Sequence, residues 1–224
     1  MLFVKIVPYS MYIPRRYEEK DTATIHAFIK ENSFAILISV NDGLPLGTHI
    51  PLLLEKNAQG QDILMGHISR ANEQKYTLTD GARVLAIFPG PHAYISPRWY
   101  TQMNVPTWNY IAVHVMGRVK IIEGEALHAA LSRLVNNYEQ HLPQPVTTGE
   151  MPEKMYQDNF RGIIGFEIVI EEIQAAYKLS QNRDEQSYHH VIDQLEQGDD
   201  VAKKVASAME YIGEKLFRSG EARP

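Results

Sequence analysis

Short apolar runs bounded by turn residues recur along the chain and predict a set of strands. The run at 34–40 stops at Asn41-Asp42-Gly43, a tight hairpin signal, so 44–54 is predicted as the returning strand. Pro89-Gly90 is expected to end a later strand, after which extended geometry resumes. The remaining predicted strands cover 62–68, 82–88, 92–96, 107–122 and 162–173.

The clearest of these strands, 107–122, has two chemically different faces. Alternate residues from Asn109 to Ile121 are mostly apolar, which is typical of a barrel core. The other face begins with Trp108 and Tyr110 and continues through His114. Because this face is too aromatic for free solvent and too polar for a core, it predicts a ligand wall or a subunit interface.

Helical spacing of apolar residues predicts amphipathic helices around the strands. Asp21 is expected to cap a helix that ends near Asn32, and Ser69 to cap one from Arg70 to about Thr79. Further helices are predicted at 125–141, after Pro152, at 184–196 and at 199–217. Hairpin-joined strands with helices outside them favour an α+β fold built on an antiparallel β-barrel over a doubly wound parallel sheet.

Composition narrows the class of protein. The 224 residues carry a net charge of −5 and contain no cysteine. The charge offers no electrostatic footprint for nucleic acid, and no helix-turn-helix signal is evident, so direct DNA readout is weakly supported. The lack of cysteine excludes disulfides and cysteine nucleophiles. No apolar run approaches the roughly 20 residues of a membrane span, and a cytoplasmic protein is expected.

The usual catalytic and metal motifs are missing. The nine histidines form no His-x-His, His-x-x-x-His or HExxH pattern, so no metal site is predicted. There is no G-x-S-x-G elbow, and neither the Walker nor the Rossmann glycine pattern occurs. No residue is therefore assigned as catalytic.

Two segments are candidates for a binding site. Residues 90–110 contain both tryptophans and three of the twelve tyrosines, which suits a flat heteroaromatic ligand or a subunit contact. At 66–72, a strand turns into a predicted helix start, where the hydroxyl of Ser69, the guanidinium of Arg70 and the amide of Asn72 would converge on an anion. The alternative at 66–72 is simple helix capping by Ser69 with Arg70 in solvent.

Five motifs, taken together and in order, resemble the PaiB family, whose members are described as FMN-binding negative transcriptional regulators. The motifs are Thr48-His49-Ile50-Pro51, Gly66-His67-Ile68-Ser69-Arg70-Ala71-Asn72, Gly90-Pro91-His92-Ala93-Tyr94-Ile95-Ser96-Pro97, Val105-Pro106-Thr107-Trp108-Asn109-Tyr110 and Lys178-Leu179-Ser180-Gln181-Asn182. The likeness runs from Met11 to about Lys215. Because the family begins at Met-Tyr-Ile-Pro, Met11 is the expected natural start and 1–10 an upstream extension.

The resemblance implies a flavin-binding split β-barrel, related to pyridoxamine phosphate oxidases, that forms a homodimer with two FMN sites at the interface. The barrel domain would cover 11–183, and helices at 184–224 would pack on the barrel or the dimer. The residues that the resemblance assigns to FMN form three groups. Ser69, Arg70, Asn72 and Gln74 would hold the phosphate; Thr48, His49, Ile50, Pro51, His67 and Ile68 would line the ribityl chain and ring; Trp99, Trp108, Asn109, Tyr110, Lys178 and Ser180 would come from the partner subunit or close the pocket.

Two positions depart from the family pattern: Lys75 stands where tryptophan is frequent, and Arg98 where a small residue is usual. Neither departure changes the residues that the resemblance assigns to the phosphate. Function stays open between a flavin-responsive repressor of transcription and an FMN-dependent oxidoreductase acting on a small molecule. A third hypothesis is a flavin-binding dimer whose effect on transcription is indirect.

Overall fold

A computed structural model describes residues 11–218, so the predicted extension at 1–10 lies outside the described residues. Across this range there are eight strands and five α-helices. The strands are β1 Glu18–Glu19, β2 Phe34–Asn41, β3 Leu44–Pro51, β4 Leu53–Lys56, β5 Asp62–Ser69, β6 Arg83–Ile95, β7 Thr107–Ile122 and β8 Ile163–Lys178. The helices are α1 Thr22–Glu31, α2 Gly124–Glu139, α3 Glu153–Arg161, α4 Glu185–Glu196 and α5 Asp200–Arg218.

The strands pair in one sheet in the order β3-β2-β6-β7-β8-β5-β4, with β1 paired to β8. Neighbouring strands run antiparallel, as in the β2–β3 and β5–β8 pairs. The predicted α+β class with an antiparallel sheet is confirmed. Every predicted helix outside 70–79 is present, with ends within about two residues of those expected.

The described chain divides into two compact units. The first comprises 11–25, 89–113 and 174–218, and the second comprises 26–88 and 114–173. Strands β6, β7 and β8 each contribute residues to both units. The boundary expected between 183 and 184 stays a prediction.

The first hairpin forms where its turn residues predict it. Asp42 and Gly43 have φ values of 48° and 83°, the left-handed geometry that both central residues of a type I′ turn need. Asn41 then pairs with Leu44, and the register continues to Phe34 opposite Pro51.

The strand expected at 44–54 is two strands, and that prediction was wrong. The Leu52 amide donates to the Ser33 carbonyl at 2.8 Å, which takes the chain out of the β2 register. Leu53 instead pairs with Met65 of β5. The expected break at Pro89 was also wrong, because the β2–β6 pairing covers only Leu85 to Ile87 and proline at 89 removes no hydrogen bond from it.

The helix expected from Arg70 to Thr79 is a four-residue 3₁₀ turn, Glu73–Tyr76. Asn72, rather than Ser69, caps it, because its Oδ1 accepts from the Gln74 amide at 2.9 Å. The side chain of Gln74 is buried and donates to the Leu37 carbonyl at 3.0 Å. This tertiary anchor fixes the turn on β2 and overrides the helical pattern of the sequence.

The core of the second unit forms where α2 covers the sheet. The helix buries Leu127, Ala130 and Leu134 against Leu53, Met65 and Ile122. This is the apolar stripe that the spacing of residues 127–138 predicts.

A substitution at Gly117 of β7 tests how closely β7 approaches β8. A Cβ at this position would lie 2.3 Å from the Val169 carbonyl oxygen and 2.7 Å from Ile168 Cγ2. Because the obstructing atom is backbone, we expect Gly117→Ala to lower the free energy of unfolding by about 1–3 kcal/mol or more. Urea denaturation measures the change.

Gly47→Ala is the matched control for this substitution. Its Cβ would meet only Ile36 Cγ2 at an ordinary 3.8 Å, so the midpoint of urea denaturation should stay close to that of the parent protein. Equal midpoints for Gly117→Ala and Gly47→Ala would contradict the close approach of β7 to β8.

Candidate functional site

A cavity of about 620 Å³ lies in the second unit, where β3 and β5 end. We name it the β3–β5 cavity. Eight of the sixteen predicted FMN residues line it: Thr48, His49, Ile50, Pro51, His67, Ile68, Ser69 and Asn72. The structure therefore brings together the two motifs that the sequence places about twenty residues apart.

Four further lining residues were missed by the sequence analysis: Asp158, Asn159, Gly162 and Ile163. They belong to the end of α3 and the start of β8. The sequence shows this segment only as a polar connector with a short helix, and no motif in it signals a binding site. The antiparallel pairing of Ser69 with Ile163 is what brings it to the cavity.

The polar groups of the cavity are mostly neutral. Asn72 Nδ2 donates to Thr48 Oγ1 at 2.9 Å, which holds the amide and the hydroxyl side by side. Ser69 Oγ accepts from the Ala71 amide at 3.1 Å and keeps its own proton available for donation. With Ile50 and Ile68 as apolar neighbours, this set suits a ligand with a hydroxylated chain and a flat ring.

His67 faces this cavity with a half-buried ring. Burial lowers the pKa of its imidazole below the usual 6.5, so the ring is neutral at pH 7. A neutral imidazole has one donor and one acceptor nitrogen, and among residues 11–218 neither nitrogen has a hydrogen-bond partner. His67 is therefore free to bond a ligand in either role.

Arg70 does not line the β3–β5 cavity, although it follows Ser69 directly. Its backbone amide donates to the Gly162 carbonyl at 2.8 Å, and its Nε donates to the Arg161 carbonyl at 2.9 Å. Lys75 Nζ donates to the Arg70 carbonyl at 2.9 Å. Arg70 instead lines a separate cavity of the same unit.

The Gln74 amide group points inward. It is 2% exposed, and Nε2 donates to Leu37, Ser39 and Leu46. Its Oε1 is buried with no hydrogen-bond partner in the described part of the chain. The structure thus gives Gln74 the role of anchoring the turn below the cavity.

The other six predicted residues lie in the first unit. Trp108 is 53% exposed, and its ring centroid lies 6.0 Å from that of Tyr94 and 6.1 Å from that of His92. Tyr110 and Trp99 are half-buried. Burial alternates along β7 from Asn109 to Lys120, as the two-faced pattern predicts, but at the end of the strand Ile122 is buried in place of the expected Ile121.

Asn109 and Ser180 are buried and bond each other. Asn109 Nδ2 and Ser180 Oγ lie 3.0 Å apart, and the same Nδ2 is 3.3 Å from Met209 Sδ. Ser180 has a φ of 64°, a left-handed conformation that is uncommon outside glycine. These two side chains hold the end of β8 to β7 and α5.

Lys178 is a cation of the first unit that contacts Trp108. Its Nζ donates to Thr107 Oγ1 at 2.6 Å and to the Trp108 carbonyl. Burial lowers the pKa of Lys178, and the charge of Arg183 lowers it further. Arg183, which the sequence analysis missed, stacks its guanidinium 4.4 Å from the Tyr100 ring centroid.

Metal ligands and membrane spans were also sought in the described chain. Within residues 11–218, no group of three or more His, Asp or Glu side chains is placed to hold a metal ion. In the same range, no helix is both long and apolar enough to cross a membrane.

Comparison with known proteins identifies the family. Residues 11–172 match the family described as "Putative FMN-binding domain". The protease synthase and sporulation protein PAI 2 of Bacillus subtilis is 41% identical over 201 residues, covering 89% of this chain and 97% of that protein. An uncharacterized protein of Aspergillus fumigatus is 27% identical over 256 residues, covering 91% of this chain and 98% of its own length.

Solved structures show the same fold. The FAD and heme binding protein of Mycobacterium smegmatis aligns with a TM-score of 0.56 at 14% identity, over 72% of this chain and 73% of that one. The flavocytochrome Anf3 of Azotobacter vinelandii aligns with a TM-score of 0.55 at 18% identity, over 80% and 78%. The expected antiparallel split β-barrel is thereby confirmed.

The family match and the cavity agree on the cofactor. The β3–β5 cavity offers hydroxyl, amide and imidazole groups beside apolar walls, which fits the ribityl chain and ring of a flavin. FMN is the cofactor that the family match indicates. The chain belongs to the PaiB family of FMN-binding split-barrel proteins.

Proposed function

We propose that this protein is a negative regulator of transcription that works as a homodimer with FMN bound at the subunit interface. The observation that carries the proposal is the β3–β5 cavity, which gathers eight predicted flavin residues from two separate strands. Its volume of about 620 Å³ lies within the usual range of ligand pockets, roughly 300–1,000 Å³. When bound, FMN supplies redox reactivity that no side chain of this protein has.

The side chains of the cavity have separable roles in holding FMN. Thr48 and Asn72 are fixed by their mutual hydrogen bond and offer their remaining polar groups to the ribityl hydroxyls. His67 is neutral and bonds a polar edge of the ring without adding charge. Ile50 and Ile68 exclude water from the ring face.

The phosphate of FMN needs positive charge that the cavity lining lacks. Among residues 11–218, no lysine or arginine lines the β3–β5 cavity, and Asp158 adds a negative charge. Arg70 is the cation next in sequence to Ser69, and its two amino groups have no hydrogen-bond partner among the described residues. We assign the phosphate to Arg70 together with the hydroxyl of Ser69.

Substituting Arg70 tests this assignment. We expect Arg70→Ala to raise the dissociation constant of FMN roughly ten- to hundredfold, because a charge-assisted hydrogen bond contributes about 1.5–3 kcal/mol. Quenching of FMN fluorescence on titration with protein measures it.

Arg133→Ala is the matched control. Arg133 lies on α2, its Nε donates to the Glu55 carboxylate at 2.9 Å, and it does not line this cavity. If Arg70→Ala and the parent protein have the same dissociation constant for FMN, the phosphate does not bind at Arg70. A parent protein that leaves FMN fluorescence unchanged would refute FMN binding altogether.

The exposed aromatic surface of the first unit supports a homodimer. Trp108, Met103 and Val105 are 53%, 80% and 67% exposed, and Tyr94 packs beside Trp108. Large apolar side chains clustered at the surface are typical of subunit contacts. A partner surface here would bring Trp108 and Tyr110 beside a bound ligand, as the resemblance implies.

Trp108→Ala tests whether this surface forms the dimer. We expect the sedimentation profile to shift toward monomer, because a central tryptophan contributes about 2 kcal/mol or more to an interface. FMN affinity should fall with it.

The control for this experiment is Tyr211→Ala, which removes an exposed aromatic from α5 outside the cluster. Unchanged sedimentation of Trp108→Ala would exclude this surface as the dimer contact. A shift toward monomer in both variants would indicate a general loss of stability.

The regulatory role is supported by the family alone. The name of the Bacillus subtilis relative, protease synthase and sporulation protein PAI 2, refers to protease synthesis and to sporulation. The net charge of −5 does not favour DNA, so contact would need a local basic surface. Lys203 and Lys204 on α5 are exposed neighbours and are the basic residues proposed for this contact.

Selection from a randomised DNA pool tests direct repression. We expect the FMN-loaded protein to enrich a specific sequence and to shift it in a gel at physiological salt in excess competitor DNA. Lys203→Glu should weaken the shift, whereas Lys20→Glu, outside the C-terminal helices, should not. The absence of any sequence preference would count against direct repression.

A further inference from the structure

A second and larger cavity, of about 700 Å³, lies in the same unit between the start of α2 and the end of α3. We name it the α2–α3 cavity. Its wall is apolar at Leu78, Ile122, Leu127, Phe160 and Ile164. None of the motifs that resemble the PaiB family contributes to it apart from Arg70.

The two cavities are separate, because no residue of the described chain lines both. Ser69 and Ile163 line the β3–β5 cavity, whereas Arg70, just after β5, and Ile164 of β8 line the α2–α3 cavity. The Arg70 amide donates to the Gly162 carbonyl, which joins the two backbone segments at this point.

The α2–α3 cavity presents positive charge at one side. Arg161 lines it, and its guanidinium donates from Nε to the Gln157 carbonyl and forms an ion pair from Nη2 to Asp158 Oδ1, both at 3.3 Å. At least one of its amino groups is free for a ligand. Arg70 also lines the cavity but is assigned above to the FMN phosphate, so Arg161 is the cation proposed to bind a second anion here.

Negative charge is present in the same cavity. Glu123 precedes α2, but its side chain does not cap the helix, and among residues 11–218 its carboxylate has no hydrogen-bond or ion-pair partner. Asp80 also lines the cavity, with Oδ1 accepting from the Ile121 amide at 2.7 Å. Glu123 is thus the carboxylate available to a cationic group.

We propose that the α2–α3 cavity is a second ligand site, for a zwitterion with apolar side chains such as a short peptide or a large apolar amino acid. The ligand carboxylate pairs with Arg161, and its ammonium group pairs with Glu123. The apolar side chains pack on Leu127 and Phe160. This site does not depend on the proposed binding of FMN, because no residue assigned above to FMN makes these contacts.

The test uses the dipeptide L-leucyl-L-phenylalanine added to the full-length protein, with and without FMN. Chemical shifts of backbone amides in two-dimensional NMR spectra give both the location and the dissociation constant. We expect saturable shifts concentrated at 121–127 and 158–165. Arg161→Ala and Glu123→Gln should each weaken binding about two- to fivefold, the size expected of exposed ion pairs.

Modified dipeptides separate the two charges. The C-terminal amide should bind more weakly than the free dipeptide and should be insensitive to Arg161→Ala. The N-acetylated form should be insensitive to Glu123→Gln in the same way. Arg133→Ala and Glu196→Gln are the matched controls and should leave every dissociation constant unchanged.

Three results would overturn the proposal: no saturable shifts, shifts confined to residues outside the cavity, or equal binding by the free and doubly blocked dipeptides. Each can be obtained whether or not FMN binds. If the protein does not bind FMN but the dipeptide still causes saturable shifts, the cofactor proposal is refuted and the proposal of this second site is not.

Discussion

The pairing of β5 with β8 is the constraint on which both cavities depend. The register runs from Ile63 opposite Val169 to Ser69 opposite Ile163, and the Arg70 amide continues it to the Gly162 carbonyl. A shift of one residue would exchange the faces of the two strands and take Ser69 out of the cavity that it lines. The site therefore depends on backbone pairing more than on any single side chain.

Close packing of glycines keeps that pairing in place. A Cβ on Gly165 would lie 2.2 Å from Leu127 Cδ1, and one on Gly66 would lie 2.7 Å from Leu52 Cδ2. These glycines let α2 and the end of β3 approach the paired strands more closely than any larger residue would permit. A side chain at either position would force Leu127 or Leu52 to shift.

The sequence predicted the parts of the fold that local chemistry determines. The Asp42-Gly43 turn, the two faces of β7 and the apolar stripe of α2 each follow from residues close in the chain. Prediction from the sequence failed where a distant contact determines the local structure. The Leu52 amide donates to the Ser33 carbonyl, and the buried side-chain amide of Gln74 donates to the Leu37 carbonyl of β2. For the same reason the contribution of Asp158 to Ile163 to the cavity could not be predicted, since only the sheet register brings it there.

One segment connects the two proposed sites. Different residues within 158–165 line the two cavities, and Arg70 is bonded to this segment through its backbone and its Nε. If one ligand ordered this segment, the other would have less entropy to remove and would bind more tightly. Coupling of this kind is reciprocal by thermodynamic necessity, which is what a flavin protein would need in order to respond to a second small molecule.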